Sequence, residues 1–165
     1  MGEWNRSTIE LPLEDIPPEL AAEIQAHVES FNLGPILNDP LICIQTISEK
    51  KKQGLFGGFS PLKEKTTIGA YILTPEWLVF AVRGDVSRPA ALSARLKDAQ
   101  VDDYANSPAY QLLPDCGIHV TGIFTGKVGM NGETRVTIFI PLGEETAAKK
   151  FKETLFQAVQ QTRQK

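Results

Sequence analysis

The sequence offers little sulfur or imidazole chemistry. Its 165 residues contain two cysteines and two histidines, too few for a disulfide scaffold and thin material for a metal site. Cys43 and Cys116 therefore read as reduced thiols filling small apolar spaces, as in a cytoplasmic protein. No apolar run reaches the length of about 18 residues that a spanning helix needs. The nearest stretch, Ile68 to Val82, is interrupted by Thr74-Pro75-Glu76, so no transmembrane segment is expected. An excess of positive charge is missing too. There are 17 Lys and Arg against 20 Asp and Glu, a net charge of −3, and aromatics are not interleaved with basic residues. Nucleic acid is therefore not an expected partner. The opening, Met1-Gly2-Glu3-Trp4-Asn5-Arg6, has an early acid and no apolar run after it, which predicts no secretory signal. Arg6 stands where N-terminal acylation needs Ser or Thr.

Motifs for common chemistries are also lacking. Gly54, Gly57 and Gly58 are not followed by the Gly-Lys-Ser/Thr of a phosphate loop. Asp98, Asp102 and Asp103 lack the spacing and glycine of a calcium loop, and serve better to keep an edge strand soluble. No metal and no cofactor is expected. Asp115-Cys116-Gly117-Ile118-His119 puts carboxylate, thiol and imidazole close in sequence. On a strand, however, residues three apart point to opposite faces, and catalytic Cys/His pairs are ordinarily joined by the fold. A small hydrolase is the distant reading, and the expectation is that the protein is not an enzyme.

What is present is a charge asymmetry. From Met1 to Pro40 there are eight acids (Glu3, Glu10, Glu14, Asp15, Glu19, Glu23, Glu29, Asp39) and one base, Arg6, a local charge of −7, which leaves +4 for the rest. This acidic lead carries one expected helix, opened by Pro17-Pro18. Its stripe Leu20, Ile24, Val28 and Phe31 ends before Gly34-Pro35, and packing against the body is its expected use.

From Leu41 the period changes. Leu41–Ile47, Thr67–Leu73 and Trp77–Arg83 read as strands from their β-branched and aromatic content. Ala94–Tyr104 is a weaker strand near an edge, and residues 106–117 hold at most a helical turn. Ile118, Val120, Gly122 and Phe124 alternate with His119, Thr121, Ile123 and Thr125. Asn131-Gly132 suits a type I′ turn, so this arm should pair with Thr134–Ile140. The close is a helix: Glu144-Glu145 suit its start and Arg163 and Lys165 its end. Ala148, Phe151, Leu155, Ala158/Val159 and Thr162 form one apolar stripe, which must cover the sheet before it.

These features, and in particular Ile72-Leu73-Thr74-Pro75-Glu76-Trp77-Leu78-Val79-Phe80, Ser93–Tyr104 and Phe139–Val159, resemble the pleckstrin-homology-like (PH-like) superfold in its bacterial PH and GRAM-like flavour. The resemblance covers about residues 41–163 and is one of fold-level pattern. Many eukaryotic members carry a helix Trp, where this helix has Phe151 and Phe156. It implies a mainly β domain with α: a strongly bent antiparallel barrel or sandwich closed by the C-terminal amphipathic helix, plus the N-terminal helix. Residues 1–40 would form an acidic extension and residues 41–165 the PH-like domain.

In phosphoinositide-binding members of the family the anion site lies between the first two strands, as Lys, a loop, then Lys/Arg-x-Arg. Here the matching residues are Lys52, a loop, then Lys63-Glu64-Lys65. Lys65 replaces the usual Arg and Glu64 intrudes, which costs bidentate selectivity. From Glu49 to Lys65 five lysines and two glutamates give a local +3. Each basic residue near an anionic membrane contributes about 1 kcal/mol, and Phe56 and Phe59 at the tip would each add about 1.5–3 kcal/mol on entering lipid. The candidate ligand-binding residues are therefore Lys50, Lys51, Lys52, Phe56, Phe59, Lys63 and Lys65. The plain alternative is a solvated lysine edge with both rings folded back onto the sheet. The expected function is a non-catalytic binding module making weak contact with an anionic surface or phosphorylated ligand, cytoplasmic and peripheral to a membrane. The rival is a protein-interaction adaptor that uses a sheet edge or the groove beside the last helix. The acidic lead is placed to lie over the basic loop and weaken anion binding.

Overall fold

The structure is a computed structural model and describes residues 3–51, 64–129 and 132–165. Eight strands form one antiparallel sheet: β1 (Trp4–Glu10), β2 (Ile42–Lys50), β3 (Thr66–Leu73), β4 (Trp77–Gly84), β5 (Ala90–Arg95), β6 (Gln100–Asp103), β7 (Gly117–Gly129) and β8 (Gly132–Pro141). Two helices, α1 (Pro18–Ser30) and α2 (Thr146–Arg163), complete it. Neighbours in sequence are mostly neighbours in the sheet. The exception is β7, which takes β5 and β6 on one side and β8 on the other. The sheet curls into a half-barrel, and each of its faces carries a helix.

Strand alternation sorts the side chains onto those faces. On the concave face Ile42, Ile44, Tyr71, Leu73, Leu78, Phe80 and Ala94 meet Ile118, Val120 and Ile140. The α2 stripe of Ala148, Phe151, Leu155, Ala158 and Val159 buries itself among them. On the convex face Cys43, Ala70, Ile72, Val79 and Ala81 meet Ile16, Leu20, Ile24 and Val28. The C-terminal helix therefore fills the mouth of a curled sheet, and the N-terminal stripe packs on the body. Helix α1 ends at Ser30, and Phe31 follows it, at the edge of the packing rather than in the stripe. His27 supplies the remaining buried position.

Three features depart from the sequence reading. First, β1 lies inside the segment read as an acidic lead and pairs with β2 over its whole length, Trp4 opposite Lys50 to Glu10 opposite Ile44. Its inward residues are Trp4, Arg6 and Thr8, whereas Ile9 points outward and is half exposed. Hydrophobic alternation is thus inverted, and polar contacts replace it: the Thr8 hydroxyl hydrogen-bonds the hydroxyl of Thr46 directly opposite, at 2.8 Å, and accepts from Gly143 N–H at 2.8 Å.

Second, the weak strand expected over 94–104 is replaced by β5, which begins earlier at Ala90 and ends at Arg95, and by β6, because the chain turns at Leu96–Asp98 to bury both Leu96 and Ala99. Third, β7 carries a bulge at Gly122, where φ is +101° and a Cβ would stand 2.9 Å from the Asp98 carbonyl oxygen. The extra residue reverses the alternation beyond it. Ile123, read as lying on the face opposite Ile118 and Val120, joins them in the concave core, while Phe124 turns to stack edge-on against Phe31 at 5.0 Å. The paired arms β7 and β8 run up to Gly129 opposite Gly132; Asn131 of the expected turn lies outside the described residues.

His27 makes stability pH-dependent. Its Nε2 lies 2.8 Å from Ser93 Oγ and its ring packs on Phe31 at 4.8 Å. Burial holds its pKa below the ordinary imidazole value. Below about pH 6.5 the unfolded chain binds a proton that the folded chain resists, so the fold loses stability as pH falls through that window. Urea midpoints should drop from pH 7 to pH 5, above the range in which carboxylates titrate, and His27→Gln should flatten that segment of the profile.

Candidate functional site

One end of the half-barrel gathers the β2–β3 and β4–β5 connections. Lys50 closes β2, Lys51 follows it, and Lys65 precedes β3. Lys50 N–H donates to the Lys65 carbonyl at 2.8 Å, and Lys51 N–H donates to the Glu3 carbonyl at 2.8 Å. Ladder pairing thus holds the three lysines to one sheet end. Lys52, Phe56, Phe59 and Lys63 lie outside the described residues.

Glu64, which interrupts the basic pattern in sequence, turns away from it. Its carboxylate accepts from Val86 N–H at 2.9 Å and Ser87 N–H at 2.8 Å, capping the β4–β5 turn. It lies so close over Gly84 that a Cβ there would have no room. Asp85 answers from the other side, accepting from Lys65 N–H at 2.9 Å. A hydrogen bond with Glu64 and the N–H groups of Lys65 and Thr66 hold the Asp85 carboxyl below its ordinary value. Two carboxylates at this end are therefore spent on backbone donors. Among the described residues no carboxylate forms an ion pair with the Lys51 or Lys65 ammonium. Two acids of the first 40 residues pair elsewhere: Glu10 with Lys150 at 2.8 Å and Glu19 with Arg83 at 2.6 Å.

The Asp115, Cys116 and His119 group has a different arrangement from a nucleophilic site. Arg6 takes both oxygens of Asp115, donating from Nε at 2.8 Å and from Nη2. Cys116 is exposed, but partial desolvation raises its thiol pKa; the nearby Glu144 carboxylate (Sγ to Oε1, 3.7 Å) and Asp115 add to this, and Arg6 only partly opposes it. The thiol therefore stays protonated at neutral pH, against what a nucleophile needs. His119 lines the same groove as Asp115 but hydrogen-bonds neither it nor Cys116 among the described residues, and packs edge-on to Tyr104 at 5.1 Å and to Phe139 at 5.9 Å. Among the described residues no group of three or more His, Cys, Asp or Glu is placed to hold a metal ion, and no described helix is long and apolar enough to cross a membrane.

Several concavities went unread in the sequence, and two of them are lined mainly by apolar side chains. One is a surface groove of about 610 Å³ bounded by Trp4, Tyr104, Leu112, Leu113, His119 and Phe139, where Leu112 is 84% and Leu113 64% exposed. The adjacent pair Leu112-Leu113, between Gln111 and Pro114 in a loop, was its only sequence signal. The other is a cleft on the concave face, described below. Searches with family models, curated proteins and solved structures match nothing to this chain.

Proposed function

We propose that this is a cytoplasmic, non-catalytic binding module of the PH-like kind, whose loop end makes weak, reversible contact with an anionic surface or phosphorylated ligand. The observation that carries the reading is the capture of Glu64 and Asp85 by backbone N–H groups, beside Lys51 and Lys65, with which no described carboxylate forms an ion pair. Both carboxyl groups are fixed toward the turn rather than against the Lys51 and Lys65 ammonium groups. Lysine supplies point charge without a bidentate fork, so the contact favours a charged surface over one headgroup geometry.

The test is cosedimentation with phosphatidylcholine vesicles carrying phosphatidylserine at low salt. Each lysine near such a surface contributes about 1 kcal/mol. Reversing two charges with Lys51→Glu and Lys65→Glu should therefore weaken binding by more than about tenfold. The same binding should vanish near 1 M salt, where the screening length is about 3 Å. Binding that survives both treatments contradicts the proposal.

The exposed Leu112 and Leu113 beside an aromatic groove favour the second reading, a protein-interaction adaptor. In that case a bound peptide would be indifferent to salt. Deleting residues 1–40 would remove β1 and α1, so truncation does not probe masking by the lead cleanly.

A further inference from the structure

Helix α2 covers only part of the concave face, lying against β1, β2, the 96–98 turn and β6. Toward the loop end the face is left as a cleft of about 260 Å³, walled by Phe80, Val82, Leu92 and Ile138, with Ala90 at its exposed rim. Along β3 the inward residues are Thr67, Gly69 and Tyr71, and all three line the cleft. The Tyr71 side chain is 1% exposed and stacks on Phe80 at 5.4 Å. It runs back over Gly69, where a Cβ would meet its hydroxyl oxygen at 2.5 Å. Glycine at 69 is thus what lets the phenol lie along the cleft floor. Thr46 is opposite Gly69 in register, but its hydroxyl is already bonded to Thr8. Among the described residues the Tyr71 hydroxyl makes no hydrogen bond, and Tyr71 borders the cleft.

We propose that this cleft binds a small, neutral, single-chain amphiphile whose oxygen accepts the Tyr71 hydroxyl proton and whose chain runs along Phe80, Val82, Leu92 and Ile138. Three observations set the ligand class. The space holds about eight or nine water-sized groups at ~30 Å³ each, the size of a medium-chain alcohol. The wall is apolar on one side and hydroxyl-bearing on the other. No described charged residue lines the cleft, and Arg6, whose charge reaches Tyr71, is already paired with Asp115, so a carboxylate entering the cleft would lose its hydration without a free counter-charge. The site is independent of the lysine reading, because its polar contact is a phenol inside the half-barrel.

The experiment titrates the full-length protein with 1-octanol and follows methyl NMR signals of Val82, Leu92 and Ile138. Wild type should show saturable shifts of all three. Tyr71→Phe removes one hydroxyl that has no internal partner, so the fold should be unchanged and octanol affinity should fall about five- to tenfold. Ala90→Trp, at an exposed position, should block the mouth and abolish the shifts. Vesicle binding by Tyr71→Phe should equal wild type, which separates failure of this site from failure of the lysine site. Absence of saturable shifts in wild type, equal affinity in wild type and Tyr71→Phe, or tighter binding of octanoate than of octanol would each overturn the proposal.

Discussion

Replacing Phe151 by alanine is expected to cost about 3–5 kcal/mol, the range for deleting a fully buried aromatic ring. Phe151 has no exposed surface and sits at the centre of the α2 stripe, 6.2 Å from Tyr71 between ring centroids. It therefore bridges the helix to β3 at the middle of the concave core. The surrounding strands are tied into a continuous ladder and cannot collapse freely into the space, so the cavity term adds to the lost transfer energy. For a chain of this length a loss of that size corresponds to a melting-temperature drop of roughly 10 °C. Thermal unfolding read by circular dichroism measures it. Phe156, on the same helix but only partly buried, should respond less to the same substitution. Equal, small effects at both positions would mean that α2 is not integral to the core.

Arg6→Ala is expected to destabilise by about 3 kcal/mol, because removing one partner of a mostly buried pair leaves the other charge without compensation. Arg6 is the central tie between β1 and the remainder of the barrel. Its guanidinium grips Asp115, donates to Ser48 Oγ at 2.6 Å, and lies 5.4 Å from the Phe139 ring centre and 5.8 Å from that of Trp4. Its side chain is 9% exposed and that of Asp115 20%, which places the pair toward the lower end of the range for buried pairs. After the substitution Asp115 would keep, among the described residues, its contact with Cys116 N–H at 2.8 Å. Arg6→Lys should recover part of the loss, since lysine restores charge but not the planar fork. Urea unfolding of the three proteins gives the comparison.

These two residues also mark where the sequence was readable and where it was not. Phe151 stands in a 3.6-residue apolar stripe over a polar background, and such a stripe has one physical use, to cover apolar surface. The same logic located the α1 stripe, the strands from β2 to β4 and the paired arms β7 and β8. Arg6 belongs to a strand held by ions and hydroxyls, whose alternation carries no hydrophobic signal; only its partner Asp115, 109 residues away, gives it meaning. The Gly122 bulge was hidden for a related reason. A single inserted residue changes which face Ile123 and Phe124 occupy, and its cause is a close approach by the distant Asp98 backbone. His27 fell between the apolar residues of its helix and is buried through its hydrogen bond to Ser93 on β5.

At the candidate site the lysines were legible as a charge run, and the fold places Lys50, Lys51 and Lys65 at one sheet end. The orientation of Glu64 was not legible, because it depends on N–H groups of the β4–β5 turn more than 20 residues away. The cleft over Tyr71 was equally hidden, since an exposed apolar patch inside a curled sheet has the same sequence pattern as a filled core.

The most direct test of the central claim, contact through the loop end, is a backbone amide map recorded while phosphatidylserine-containing bicelles are added to the full-length protein at low salt. The account predicts that perturbations cluster at Lys50, Lys51, Lys65, Thr66 and Asp85–Ser87 and disappear as salt is raised. Perturbations centred instead on Tyr104, Leu112 and Leu113, or none at all, would contradict it.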